Sequence, residues 1–187
     1  LQLWVYTMNG TAISSSDGIN MGVRTPPPTS ASIVGSGDYN GDGNADILWR
    51  DSSTGFNWIY FMNGATIVDA LGINIVPGME WEIVGNGDYD GDGSSDVLWR
   101  NGATGQNWMY LMDGATIATS AGVNTVSNLD WEIVGSGDYD GDGKADILWR
   151  NAVTGQNWMY LMDGSSIATS AGVNTVSALS WQIVNTE

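Results

Sequence analysis

The sequence predicts an all-β chain: a β-propeller of four-stranded antiparallel blades, with an acidic loop between the first two strands of each blade. Three observations carry this. A unit of 50 residues recurs, with Asp38, Asp88 and Asp138 in register. Each unit holds four short apolar segments divided by turn-forming residues, and no useful length shows the 3.6-residue period of a helix. Between the first two segments stands the pattern D-x-[DN]-x-D-G-x-x-D, three times over. A four-stranded unit cannot bury both of its faces alone, so units of this period stack around an axis.

In chain order, Trp4-Val5-Tyr6-Thr7-Met8-Asn9-Gly10 matches the third segment of the next unit, Trp58 to Gly64, and residues 11–20 match the fourth. Residues 1–30 are therefore read as a partial blade and linker, the linker carrying Pro26, Pro27 and Pro28, which favour an extended chain. Complete blades are expected at 31–80, 81–130 and 131–180, and residues 181–187 as the first strand of a split blade. Leu1-Gln2-Leu3-Trp4 reads as the middle of a strand rather than a signal peptide, which leads us to expect a piece cut from a longer chain.

Within the second unit the segments are Trp81–Val84, Asp96–Arg100, Asn107–Met112 and Thr116–Thr119. Asp113-Gly114 is a hairpin dipeptide joining the last two, and a loop through Asn124 leads to Trp131. The second and third segments are apolar on both faces, as strands covered on both sides must be. Trp49, Trp99 and Trp149, with Trp58, Trp108 and Trp158, are read first as packing between blades, with an aromatic platform for sugar as the alternative. Residues 101–134 and 151–184 differ at only seven positions, which points to duplication within the chain.

Carboxylates this crowded repel one another unless a hard cation neutralises them. Calcium takes six to eight oxygen ligands from carboxylates, carbonyls and water. Positions 1, 3, 5 and 9 of the loops offer Asp38, Asn40, Asp42 and Asp46; Asp88, Asp90, Asp92 and Asp96; and Asp138, Asp140, Asp142 and Asp146. Position 7 is Asn44, Ser94 or Lys144, a variability that suits a backbone carbonyl ligand. An EF-hand needs a bidentate Glu at position 12, where this chain has Trp49, Trp99 or Trp149. Magnesium holds its waters too firmly, and transition metals find no His or Cys. Asn40 removes one charge from the first loop, which should be the weakest of the three.

The chain of 187 residues carries 21 acidic against 5 basic residues, for a formal charge of −16. Eleven of the acids lie in the loops. This balance argues against nucleic acid and anionic membrane surfaces as partners, and no stretch is long and apolar enough for a membrane helix. With no cysteine there is no disulfide framework and no thiol chemistry. With no histidine, and no base beside its scattered Ser and Thr residues, the chain is not expected to be an enzyme. Glu80, Glu82, Asp130 and Glu132 are the only acids clustered outside the loops; Glu82 and Glu132 become Gln182 in the last unit and are expected at an exposed edge.

The run G-D-Y-D-G-D-G-x-x-D-[IV]-L-W-R, followed by T-G-Q-N-W-M-Y-L-M-[DN]-G, resembles the FG-GAP/VCBS-type repeats of bacterial secreted and surface proteins. Integrin α-subunit propellers use a similar loop. The resemblance implies a propeller with one calcium in the outer loop of each complete blade, held by the loop residues named above, and an extracellular setting. The Phe-Gly…Gly-Ala-Pro signature of integrins is absent, so an adhesion role does not carry over with the fold, and the blades are fewer than the family's common seven. The expected function is a calcium-stabilised binding module, lectin-like or adhesive, with carbohydrate or a surface protein as partner. The alternative is a non-catalytic spacer within a larger secreted or surface protein. A homo-oligomer completing the ring is a further expectation.

Overall fold

The computed structural model describes residues 28–183 throughout, together with the backbone of two strands, β1 (Trp4–Asn9) and β2 (Ala12–Gly18), which pair antiparallel. Most of the expected proline linker, and residues 184–187, lie outside the described residues. Three four-stranded antiparallel meanders follow. The first holds β3 (Ala31–Gly37), β4 (Asp46–Asp51), β5 (Phe56–Asn63) and β6 (Thr66–Ile75). The second holds β7 (Trp81–Gly87), β8 (Asp96–Asn101), β9 (Gln106–Asp113) and β10 (Thr116–Thr125). The third holds β11 (Trp131–Gly137), β12 (Asp146–Asn151), β13 (Asn157–Asp163) and β14 (Ser166–Gly172). Trp181–Ile183 carry no strand pairing among the described residues.

Each meander follows from its turns. Gly114 takes φ +60° in the tight turn after Asp113, a conformation that suits glycine. Gly105 takes φ +75°, and a Cβ there would sit 2.1 Å from the carbonyl oxygen of Val126, so only glycine fits. The fourth strands are longer than the sequence pattern predicts: β10 runs on through Asn124, at which the pattern predicts a loop. A bulge between Gly122 and Asn124 resets the register, letting Asn107 pair with Asn124 and Gln106 with Thr125.

The sheets stack side by side, with the first strand of the middle sheet, β7, lying beside both β3 and β11. Two core clusters lie between sheets, and a third, Trp49, Trp58, Tyr60 and Met62, lies on the first sheet. Tyr39, Leu48, Ile59 and Phe61 of the first meet Val97, Trp99 and Met112 of the second. Tyr89, Leu98 and Met109 of the second meet Ala145, Ile147, Trp149 and Met162 of the third. The middle strands β4 and β8 are buried nearly end to end, which is why both their faces are apolar.

Polar contacts repeat at each junction. Asn74 donates to the Tyr110 hydroxyl and Asn124 to that of Tyr160, both at 3.1 Å. The Arg50 guanidinium lies 5.0 Å from the Trp99 ring and Arg100 lies 4.9 Å from that of Trp149, cation–π contacts that bind one sheet to the next. Burial lowers the pKa of both guanidinium groups, which nonetheless stay charged.

The second set of tryptophans departs from expectation. Trp58 is buried at 7% exposure, but Trp108 and Trp158 are 38% and 39% exposed. In the first sheet Phe56 stacks on Trp58 with centroids 5.5 Å apart, whereas the other two units carry Gln106 or Gln156 two residues before the tryptophan. The indole N–H groups of Trp108 and Trp158 donate instead to Ser120 and Ser170, at 2.9 and 2.8 Å.

Candidate metal centres

Each acidic loop joins the first and second strands of its sheet. Its shape is set by carboxylates accepting hydrogen bonds from the loop's own backbone. Asp88 Oδ1 accepts from Gly91 and Asp92 N–H (2.6 and 3.1 Å) and its Oδ2 from Gly93 N–H (2.8 Å). Asp90 accepts from Asp92 N–H, and Asp92 from Ser94 N–H (3.2 and 2.7 Å). The third loop repeats this pattern through Asp138, Asp140 and Asp142. The turn needs glycine at position 6, where Gly93 has φ +94°.

The position-9 aspartates are buried struts. Asp96 Oδ2 accepts from Tyr89 N–H and its Oδ1 from Met112 N–H, both at 2.8 Å, so one side chain ties the start of the loop to the third strand. Asp46 and Asp146 do the same with Tyr39 and Met62, and with Tyr139 and Met162. Burial, reinforced by neighbouring loop carboxylates, pushes the Asp96 pKa up to about 7, and moves Asp46 and Asp146 upward too. Asp90 also shifts up, from burial and then from Asp92. Asp138 shifts down, chiefly because Gly143 N–H bonds its anionic form.

Asp88, Asp90 and Asp96 bring carboxylate oxygens within 4.8 Å of one another, and Asp138, Asp140 and Asp146 do likewise. Three converging carboxylates with no nitrogen or sulfur donor form a hard, anionic pocket able to hold a metal ion. The raised pKa values of Asp90, Asp96 and Asp146 come first from burial and then from the neighbouring carboxylates. Asp92 and Asp142 stand outside these two groups of three. Lys144 at position 7 sends its side chain to an ion pair with Asp163, leaving its backbone as the part available to the loop. In the first loop Asp38, Asp42 and Asp46 form no such converging group among the described residues, and the Asn40 amide accepts from Asp42 N–H at 3.1 Å and donates to the Asp42 carboxylate at 3.2 Å. Asp42 shifts down, first because Asn44 N–H bonds it.

Residues that sequence reasoning did not single out hold the loops in place. Asp38 C=O accepts from Ser95 N–H of the next sheet, and Asp88 C=O from Ala145 N–H, both at 2.6 Å. Arg100 donates to the carbonyls of Gly105, Val126 and Trp131 and to Asn107 Oδ1, at 3.0–3.2 Å. The signal was the Trp-Arg pair, present three times at the end of the second segment.

Stacked four-stranded antiparallel sheets, each opening with an acidic loop, define an all-β repeat protein of blade-like units. Residues 88–149, from the first aspartate of the second loop to the tryptophan after the third, match the FG-GAP-like repeat family. Over those residues the chain is similar to FG-GAP-like repeats; its three sheets are consistent with FG-GAP blades, and its aspartate triads are consistent with the calcium loops of such repeats. No curated protein matches the chain.

Proposed function

We propose that this chain is a non-catalytic, calcium-stabilised propeller module of an extracellular protein, lectin-like or adhesive in its binding. The observation that carries the binding role is a pair of matching aromatic clefts at the sheet junctions. One, of about 300 Å³, is lined by Val76, Trp81, Trp99, Trp108, Tyr110 and Ser120. Its counterpart, of about 160 Å³, is lined by Val126, Trp131, Trp149, Trp158 and Tyr160. A half-exposed indole beside a serine hydroxyl suits a pyranose, which presents an apolar C–H face and hydroxyl edges. Two related sites on one array raise avidity through multivalency. The first sheet, with Phe56 over Trp58, lacks this exposed indole.

Calcium in this reading is structural. Asp88, Asp90 and Asp96, with Asp138, Asp140 and Asp146, would hold it, and it supplies the positive charge that lets crowded carboxylates stay ionised. An ion bound only by the folded form raises stability by mass action. A second copy of the chain, completing the ring, is the proposed partner; the exposure of Tyr139 and the half-burial of Leu148 and Met159 on the third sheet support it.

Two measurements test this. Thermal unfolding with calcium and with chelator should separate by many degrees; coincident curves would remove calcium from the reading. A glycan array, followed by calorimetry on hits, should give binding that Trp108→Ala and Trp158→Ala together abolish without changing the calcium-dependent melt. Absence of glycan binding would favour the spacer role.

A further inference from the structure

The first loop differs from the others by Asn40-Gly41, where they have Asp90-Gly91 and Asp140-Gly141. An asparagine followed by glycine is open to attack on its own side chain, because glycine has no Cβ to shield its backbone nitrogen. Both residues here are exposed, and the Asn40 amide is held only by the exposed Asp42, accepting from its N–H at 3.1 Å and donating to its carboxylate at 3.2 Å. In the other loops the glycine N–H is engaged, Gly91 with Asp88 and Gly141 with Asp138, at 2.6 and 2.7 Å. In the first loop Asp38 Oδ1 bonds Asp42 N–H, and Gly41 N–H makes no corresponding bond among the described residues. The nucleophile is free at the one loop whose third position is an amide.

We propose that Asn40-Gly41 is a deamidation site, and that an ion held in the first loop protects it. The Gly41 nitrogen, on losing its proton, attacks Asn40 Cγ. A C–N bond forms, the bond from Cγ to the amide nitrogen breaks, and ammonia leaves with the proton, giving a five-membered imide. Water then opens the ring. Cleavage at Cγ yields Asp at position 40 and recreates the pattern of the other loops; cleavage at the backbone carbonyl yields isoaspartate and lengthens the main chain by one carbon. Each route exchanges an amide for a carboxylate and adds one negative charge. An ion that ligates the Asn40 carbonyl oxygen pins the side chain and opposes the attack. This protective part rests on the calcium reading; the modification does not.

The other Asn-Gly pairs among the described residues are internal controls. Asn101 is buried, its Oδ1 accepting from Ala103 and Thr104 N–H at 3.0 and 2.9 Å. Asn86 donates to Ser36 C=O. Asn63 and Gly64 are exposed as well, but Asn63 is held opposite Thr66 by the β5–β6 hairpin, so this pair is the closest comparison. The experiment is incubation of the whole chain at mildly alkaline pH with chelator or with calcium, followed by peptide mass spectrometry. Ammonia loss at Asn40 should run several-fold faster than at Asn63, Asn86 or Asn101 in chelator, and should slow several-fold in calcium. A rate at Asn40 no greater than at Asn101 in chelator overturns the site. Equal Asn40 rates with and without calcium overturn the protection and the calcium assignment of this loop, while the modification site stands. Asn40→Asp, the direct product, should bind calcium at the first loop several-fold more tightly than the unmodified chain.

Discussion

The second and third sheets are close copies in sequence but not in environment. Tyr89 has no exposure and Tyr139 has 46%; Leu98 and Met109 are fully buried, whereas Leu148 and Met159 are half-buried. Arg100 lies over a tryptophan of the next sheet, and Arg150 has no such ring among the described residues. The strand β10 runs for ten residues and its copy β14 for seven. The second sheet has a neighbour on both sides, its first strand β7 lying beside β3 and β11. Burial in this protein is thus a property of the junction rather than of the residue, as expected for a stack in which each unit contacts only its neighbours.

The sharpest test of that contrast is paired truncation. Leu98→Ala should cost about 3 kcal/mol in chemical unfolding, as fully buried leucines do, and Leu148→Ala less than about half of it. Equal losses would mean that the outer face of the third sheet is covered in solution, as ring completion by a second copy requires. Next in size is the arginine pair. Arg100→Met leaves several buried carbonyls without a donor and should cost about 2–3 kcal/mol. Arg150→Met should cost about 1 kcal/mol less, since Arg150 bonds Gly155, Val176 and Asn157 but no tryptophan ring. The smallest effect is a pH dependence of the metal-free chain. Asp96 has its folded pKa raised to about 7 above a reference of 3.8, so the folded form binds the proton more tightly than the unfolded form. Its contribution is fully present below about pH 4 and is lost as pH rises through about 7. Chelated protein should therefore melt lower at pH 8 than at pH 5.5, and Asp96→Asn should flatten that slope. Saturating calcium should flatten it too, by stabilising the ionised form.

The repeat, the four strands of each unit and the acidic loops were legible in the sequence because period, turn residues and carboxylate spacing are local signals. So was the exposure of Glu82 and Glu132, which alternate out of their strands. The exposure of Trp108 was not legible, because it depends on whether Phe56 or Gln106 stands two residues before the tryptophan and on which sheet lies alongside. The full reach of β10 was hidden behind a bulge, which interrupts the alternation that marks a strand. The dual grip of Asp96 on Tyr89 and Met112 could not be read either, since one partner lies 16 residues away in sequence and is met only once the hairpin has folded.

The carbonyl of Asp38 accepts from Ser95, and Ser95 directly precedes Asp96; the carbonyl of Asp88 accepts from Ala145, directly before Asp146. The first residue of one loop is therefore fastened next to the last residue of the following loop. The loops form a series of coupled springs rather than a set of separate cups. An ion that stiffened one of them would also narrow the motion of the seat beside it, and a calcium titration is then expected to give an isotherm steeper than that of independent sites.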